Sequence, residues 1–293
     1  VLEGEVEVRG AAGAGVTTLR TDTGINFGGG GLHEIRANPD AFIGRAKILE
    51  LEEAHQKRRY ESWLANSREL RSDPAVVVYY GFDEPNTWER SLKDSVGGHH
   101  GAVVGCLWCP GRWPGKVALE FKRLSDRVRI DVPGEFQQLT LAAWVRVEGL
   151  NQWLSSLMLT DGWEPGEVHW QINAKGQLIL GVLLGGGPDD GHRSPTVLEP
   201  KDLGRWVHLA TTYDSRRNVV THYVNGARVS QGSLPVATTV KIGSANIGNW
   251  TAPPTYHEPT RSLNGRIDEF VILKRAMTEQ EIARVYEIGK PST

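Results

Sequence analysis

Residues 263–282 read LNGRIDEFVILKRAMTEQEI, a strand-like run with an acid pair, Asp268 and Glu269, set inside it. With the two-residue period of a strand, Ile267, Glu269, Val271 and Leu273 point one way and Arg266, Asp268, Phe270 and Ile272 the other. Both faces turn apolar after the acids, so the strand is predicted to be covered on both sides. A lone buried carboxylate is costly unless a cation, a metal or several donors meet it, and the pair therefore needs partners. Beyond the strand, Thr278 and Glu281 form a capping box, Met277 and Ile282 suit a hydrophobic staple, and Gly289 with Pro291 supplies a stop. A closing strand running straight into a short capping helix is the expectation.

Working back from this end, the period stays at two as far as Pro74, with turn signals at short intervals. Strands are predicted over residues 76–82, 117–122, 127–132, 139–147, 154–160, 168–173, 178–184, 206–213, 219–224, 227–231, 240–247 and 266–273. Asn225-Gly226, between THYV and ARVS, is a type I′ hairpin signal, because both central positions of that turn need positive φ. Strands in this number without interleaved helices imply an all-β, two-sheet antiparallel sandwich.

Before Pro74 the pattern differs. Residues 40–72 are rich in Ala, Leu, Glu, Lys and Arg, the preferred helix formers, and predict one long helix ended by Asp73-Pro74. Its apolar residues, Ile48, Leu49, Leu51, Tyr60, Trp63, Leu64 and Leu70, gather toward the two ends, while EEAHQKRR (52–59) is charged all round. A connecting helix docked only in part is expected. Residues 1–19 suit a short exposed hairpin, and the run Gly28 to Gly31 favours a flexible connector over a phosphate cradle, since no Lys-Ser/Thr follows. The chain thus divides into a hairpin and Gly-rich linker (1–39), a connecting helix (40–73) and a β-domain (74–293).

Composition narrows the partners. With 33 Lys and Arg against 35 Asp and Glu, the net charge is −2, which gives no electrostatic case for nucleic acid or an anionic membrane surface. No apolar run approaches the roughly 20 residues of a transmembrane helix. The chain opens at Val1 without a signal-peptide pattern and reads as a piece excised or processed from a longer protein. Cys106 and Cys109 form one CxxC, readable as a local disulfide, a redox pair or two free thiols. Ten tryptophans are many for this length. Trp144, Trp170 and Trp206 fall in strands and suit core packing, whereas Trp88, Trp108, Trp113, Trp153, Trp163 and Trp250 lie in loop-like stretches. An indole in a loop suits recognition of a sugar face or a protein hot spot, or else folds back over a sheet edge.

The segments VVVYYGFDE, DSVGGHHGAVVG, LEF, LTLAAWVRV, GRWVHLATTYD, HYVNGARV and NGRIDEFVILKRAMTEQEIARVYE occur in an order that resembles the laminin-G-like, concanavalin A-like jelly-roll domains over residues 74–289. LEGEVEVRG and the KILELEEAHQKRRYESWL helix look like the tail of a FecR-type envelope regulator region joined to such a domain. The first resemblance implies a jelly roll that binds glycans or proteins, or belongs to a glycosidase or lyase. Together they imply a bacterial envelope protein, periplasmic or at the cell surface. The jelly-roll resemblance also implies a structural calcium, with Asp94 in KDSVGGHHG and Asp268 in RIDEF at the matching positions and loop carbonyls near residues 98–100 completing an oxygen shell. Gly98 and His99 stand where the family commonly has a Gly-Asn pair. The metal-free alternative has Asp268 accept backbone N–H bonds from that loop or pair with Arg266, Arg127 or Arg129.

For catalysis, the E-x-D-x-x-E strand that supplies two carboxylates in concanavalin-like hydrolases is absent. His169, His208, His222 and Tyr223 are available to a lyase, but no spacing fixes their geometry. In EVHWQIN, parity puts His169, Gln171 and Asn173 on one face and Trp170 and Ile172 on the other. These polar groups, with Trp163 and Trp250 on the rim, are the expected ligand-binding set. The predicted function is a non-catalytic binding module for a glycan; the alternatives are a polysaccharide-degrading enzyme and a protein-interaction domain for a cell-surface partner.

Overall fold

The computed structural model describes residues 1, 3–9, 16–28, 31–38, 43–83, 90–184, 191–250 and 260–291. Two compact units divide after His55: Val1–His55 and Gln56–Thr293. In the first, β1 (Val6–Arg9) pairs with β2 (Val16–Leu19), and β3 (Thr23–Gly28) with β4 (Gly31–Arg36), both antiparallel. Gly28 and Gly31, the outer residues of the four-glycine run expected as a connector, instead pair with each other in a second hairpin. Gly29, Gly30 and residues 40–42 of the predicted helix lie outside the described residues. Helix α1 (Arg45–Arg71) begins in this unit. Ile48, Leu49 and Leu51 are exposed, because neighbouring apolar residues at 48, 49 and 51 make no i, i+4 stripe that one surface could cover.

The second unit is a sandwich of two eight-stranded antiparallel sheets. The first holds β6 (Ser91–Leu92), β7 (Gly101–Val104), β10 (Arg127–Phe136), β12 (Leu154–Thr160), β13 (Val168–Asn173), β14 (Gln177–Val182), β15 (Gly191–Thr196) and β19 (Val240–Ile247). The second holds β5 (Val76–Tyr80), β8 (Leu107–Pro110), β9 (Val117–Phe121), β11 (Gln138–Gly149), β16 (Trp206–Asp214), β17 (Val219–Val224), β18 (Ala227–Gly232) and β20 (Asn264–Leu273). The first runs β15-β14-β13-β12-β19-β10-β7-β6 and the second β18-β17-β16-β11-β20-β9-β8, with β5 also on β20. Strands β6, β7, β8 and β15 escape sequence reading because they are short or, like GHRSPT, carry no apolar alternation. Asn225 and Gly226 turn β17 into β18 with φ of 50° and 78°, as the I′ signal requires.

The core between the sheets gathers alternate residues of facing strands, among them Val128, Ile130, Leu141, Ala143, Val145, Trp170, Ile172, Leu178 and Leu180. Strand β20 departs from strict alternation. Trp144 stands opposite Glu269 and Val145 opposite Ile267, so Asp268 is the extra residue of a β-bulge. The bulge resets the parity: Ile267 joins Phe270 and Ile272 in the sandwich core instead of sharing a face with Glu269 and Val271.

The outer face of the second sheet is covered. Val76, Tyr79, Ala142, Ala210, Val271, Leu273, Met277 and Ile282 form a second, smaller core with Leu70 of α1 and Val285 of α2 (Glu279–Gly289). The capping box of Thr278 and Glu281 starts α2 as predicted. Gly289 seats the helix end on the sheet, since a Cβ there would lie 2.9 Å from Trp144 Nε1. The second half of α1 is thus not a connector but part of the sandwich unit, with Trp63 2% exposed.

Between this helical layer and the sheet, the acid pair finds its partners. Asp268 accepts the Arg112 backbone N–H at 2.7 Å and an Nη1–H of the same residue. Glu269 accepts Arg112 Nη2–H, Trp63 Nε1–H at 3.0 Å and Tyr79 O–H at 2.6 Å. Lys116 donates to the carbonyls of Gly81 and Asp268, with its Nζ 3.9 Å from the Asp268 carboxylate, and Arg112 Nε–H to that of Gly289 at 2.9 Å. Two cations and two anions, all buried, cancel. Burial is the largest influence on Glu269 and acts upward, yet Arg112 and the Tyr79 and Lys116 contacts together hold its carboxyl below the usual range. The guanidinium also lies 4.7 Å from the Trp144 ring and 5.0 Å from that of Trp63. Of the cations expected from the sequence, Arg266 pairs with Glu120, Arg129 with Asp161, and Arg127 Nε–H donates to the Ser125 carbonyl, while Arg112 serves Asp268. Trp113 of the same loop is buried, with its ring centroid 6.5 Å from that of Tyr60 on α1. Cys106 and Cys109 are free, with burial pushing their thiols up to about 12 and about 11.

Removing one partner of such a group strands a buried charge, at a typical cost of about 3–5 kcal/mol. Arg112→Met is therefore expected to lower the melting temperature by about 10 °C or more. Arg266→Met, which breaks a partly exposed pair, should lower it by only a few degrees; equal shifts would refute the assignment. A second outcome concerns His208, buried beside Trp144 with ring centroids 5.3 Å apart, where burial pushes its pKa down to about 4. The unfolded chain binds a proton at this residue below about 6.5 that the folded chain refuses until about 4, so the stability present above 6.5 is lost as the pH falls through that window. His208→Phe should remove about 1.4 kcal/mol per pH unit from the slope of unfolding free energy between those limits, measured by urea titration.

Candidate functional site

The outer face of the first sheet carries a cleft of about 470 Å³, within the range of small-ligand sites. Alternation builds its floor. On β13, Trp170 and Ile172 enter the core while His169, Gln171 and Asn173 face the cleft; on β14, Leu178, Leu180 and Val182 enter the core while Gln177, Ile179 and Gly181 face the cleft. Strand β15 adds Gly191 and Arg193, and loops add Trp153, Trp163 and Arg261.

The walls are aromatic. Trp163 lies against His169 with ring centroids 4.0 Å apart, and its far edge rests on β14, where a Cβ at Gly181 would stand 3.3 Å from Cη2. Glycine at 181 lets the indole settle on the strand. Trp153 is 60% exposed at the mouth. The Arg261 guanidinium is 5.8 Å from the Trp153 ring and 4.1 Å from that of Trp250.

The polar residues differ in what they can offer. His169 is buried, its Nε2–H donating to the Gly162 carbonyl at 3.2 Å and its Nδ1 accepting from Arg261 Nη1 at 3.3 Å. Burial first, and the Arg261 charge second, push its pKa down to about 3, so the ring is neutral and both nitrogens are engaged. It seats Trp163 and is not placed to take a proton. Gln171 Oε1 accepts from Arg261 Nη1 at 3.4 Å. Asn173 shapes the β13–β14 turn: its Oδ1 accepts the N–H groups of Lys175 and Gln177, both at 3.0 Å, and its Nδ2 donates to Gln177 Oε1 at 2.8 Å.

Of the ligand-binding residues predicted from sequence, Trp163, His169, Gln171 and Asn173 line one cleft. Trp250 does not stand on the rim; it is buried behind His169, with ring centroids 5.3 Å apart. Trp88 lies outside the described residues. Sequence reading set Trp153 among loop tryptophans without choosing it, and it missed Gln177, Ile179, Arg193 and Arg261 altogether. Arg261 carries no local signal, since it reaches Gln171 across 90 residues of chain. Among the described residues the lining has no carboxylate, and His208 and His222 lie in other parts of the sandwich unit. Aromatic faces, amide groups and the cationic side chains of Lys175, Arg193 and Arg261 are what this surface presents.

The two acids proposed for calcium are engaged separately. Asp94 ties its own loop to β5: Oδ1 accepts the N–H groups of Tyr79 at 2.9 Å and Val96 at 3.1 Å, and Oδ2 those of Gly97 at 2.8 Å and His99 at 2.9 Å. Asp268 faces Arg112 and Lys116. Calcium needs six to eight oxygens converging on one point, and carboxylates already matched by N–H donors and cations do not fit that shell. Among the described residues, no group of three or more His, Cys, Asp or Glu is arranged to hold a metal ion.

Comparison with known proteins agrees with this architecture. Domain 4 of AbnA, a GH43 extracellular arabinanase from Geobacillus stearothermophilus solved in complex with arabinotriose, superposes with a TM-score of 0.53 at 20% identity, over 72% of this chain and 98% of that one. The binding domain of Paraclostridial Mosquitocidal Protein 1 gives 0.56 at 17% identity, over 72% and 52%, and Trypanosoma rangeli sialidase in complex with sialic acid 0.53 at 16% identity, over 80% and 38%. In sequence, the pentraxin-related protein PTX3 of Mus musculus is 25% identical over 171 residues, 55% of this chain; the chain spans 42% of that relative. Residues 124–283, more than half of the chain, match the concanavalin A-like lectin/glucanases superfamily, and to that superfamily this chain belongs.

Proposed function

We propose that the sandwich is a non-catalytic carbohydrate-binding module of a bacterial envelope or cell-surface protein, and that the FecR-like N-terminal segment links it to a signalling region. The observation that carries the reading is the pairing of Trp153 and Trp163 on one cleft beside the amide of Gln171 and the guanidinium of Arg261. Indole faces stack on the apolar face of a pyranose, while in-plane donors and acceptors meet its hydroxyls. The arabinotriose in the domain of the Geobacillus arabinanase supports this reading by analogy of fold.

The alternative, a polysaccharide-degrading enzyme, requires a positioned acid and base. His169 is held neutral between two partners, which favours binding over proton transfer. A protein ligand at the same cleft is the other outcome of the test.

Glycan-array screening followed by calorimetry on the best oligosaccharide is expected to give saturable binding without release of reducing ends or unsaturated products. Trp163→Ala and Trp153→Ala should each weaken binding about tenfold or more, the scale of a truncated aromatic hot spot. For Trp153→Ala the melting temperature should stay within about 2 °C, since the ring is largely exposed. Turnover would sink the binding-module reading, and unaltered affinity in both variants would move the site elsewhere.

A further inference from the structure

Strand β15 is an edge strand of the first sheet and β18 an edge strand of the second. β15 holds Gly191 and Arg193 on the cleft side and turns His192 inward, opposite Leu180 of β14. There the His192 ring stacks on that of His222 from β17, with centroids 5.2 Å apart and planes 9° from parallel. His192 Nε2 is 3.2 Å from Ser230 Oγ of β18. The ring occupies space left by Gly232, where a Cβ would come within 2.4 Å of His192 Cε1. The seam is built around the two imidazoles.

Its hydrogen bonds fix one protonation state. Trp170 Nε1–H donates to Thr211 Oγ1 at 2.9 Å, the Thr211 hydroxyl donates to His222 Nδ1 at 2.8 Å, and His222 Nε2–H donates to the His192 carbonyl at 3.1 Å. Every member of this chain is matched while His222 is neutral. A proton on Nδ1 would turn the Thr211 hydroxyl out of its bond and set a charge against a second imidazole.

Among the described residues, no charged side chain facing the pair compensates. From β13 comes Trp170, from β14 Leu180, from β16 Thr211, and from β18 Ser230 and Gly232. Of the charged residues on the flanking strands, Arg193 lines the cleft, Asp214 at the end of β16 accepts from Gln138 Nε2 and the Arg216 N–H, and Arg228 approaches Glu279 of α2 at 3.8 Å. Burial pushes His222 down to about 4 and lowers His192 as well, and a proton on His192 would lower His222 further.

We propose that the stacked His192–His222 pair is an acid-sensitive latch, which holds β15 against the opposite sheet at neutral pH and releases it in acid, opening the wall of the cleft. A separated seam returns both rings to water, where they bind protons below about 6.5, so acid favours the open form. The consequence is local because β15 is an edge strand with a proline, Pro195, and one sheet neighbour.

Hydrogen exchange tests this in the intact chain and is indifferent to what the cleft binds, so failure here and failure of the carbohydrate reading are distinguishable. Amide protection over residues 191–196, corrected for intrinsic rates, is expected to fall about thirtyfold between pH 7.5 and pH 5, the change that one histidine with the His222 shift produces. Protection in β16 should fall far less. In His222→Gln, whose amide can serve both the Thr211 and the His192 partners, the ratio should drop below about fivefold. In the unsubstituted protein, the midpoint of accelerated exchange should coincide with the proton titration of the His192 and His222 rings followed by NMR. Unchanged protection at pH 5, an equal loss in β16, the same ratio in His222→Gln, or midpoints more than about one pH unit apart would each overturn the latch.

Discussion

The sandwich unit depends on a buried charge cluster that is neutral as a whole. Arg112 reaches from the β8–β9 loop to Asp268 and Glu269 of the closing strand and to the carbonyl that ends α2, while Trp63 of α1 donates to Glu269. Four chain segments therefore meet around one guanidinium. Such a group adds little net stability over a hydrophobic replacement, but any single loss leaves a charge without an answer in a low-dielectric interior. Its use here is positional: the bulge at Asp268 turns the strand's acids toward the helical layer and leaves Ile267 and Phe270 in the core.

The same arrangement assigns the two outer faces different tasks. The second sheet is closed over by α2 and the second half of α1, with Met277 and Ile282 packed on Val271 and Leu273. That face is structural. The first sheet has no such layer among the described residues, and the concavity left over β13, β14 and β15 is the cleft. Rigidity of its floor follows from Trp170 and Ile172, which anchor β13 in the core and leave alternate residues outward with little freedom.

Within the cleft, hydrogen-bond accounting separates residues that shape from residues that present. Asn173 and His169 have their polar atoms engaged by neighbours, whereas Trp153 and Trp163 offer aromatic surface. Polar side chains on one face of a strand are thus a good guide to where a site lies and a poor guide to which of them meets a ligand.

Short-range patterns were legible in the sequence: the alternation of VHWQIN, the Asn225-Gly226 turn and the Thr278–Glu281 cap each depend on residues a few positions apart, and each is present as read. That Asp268 and Glu269 needed partners was legible too, because burial of charge is a local problem with a general rule. Which partners they found was not. Arg112 lies 156 residues from Asp268, Arg261 lies 92 from His169, and the bulge that reverses parity in β20 comes from its pairing with β11, so none of these leaves a mark in neighbouring sequence. Local physics determined the strands, turns and caps of this protein; the pairing of distant segments in a dry interior decided where its charges are answered and where its surface stays open.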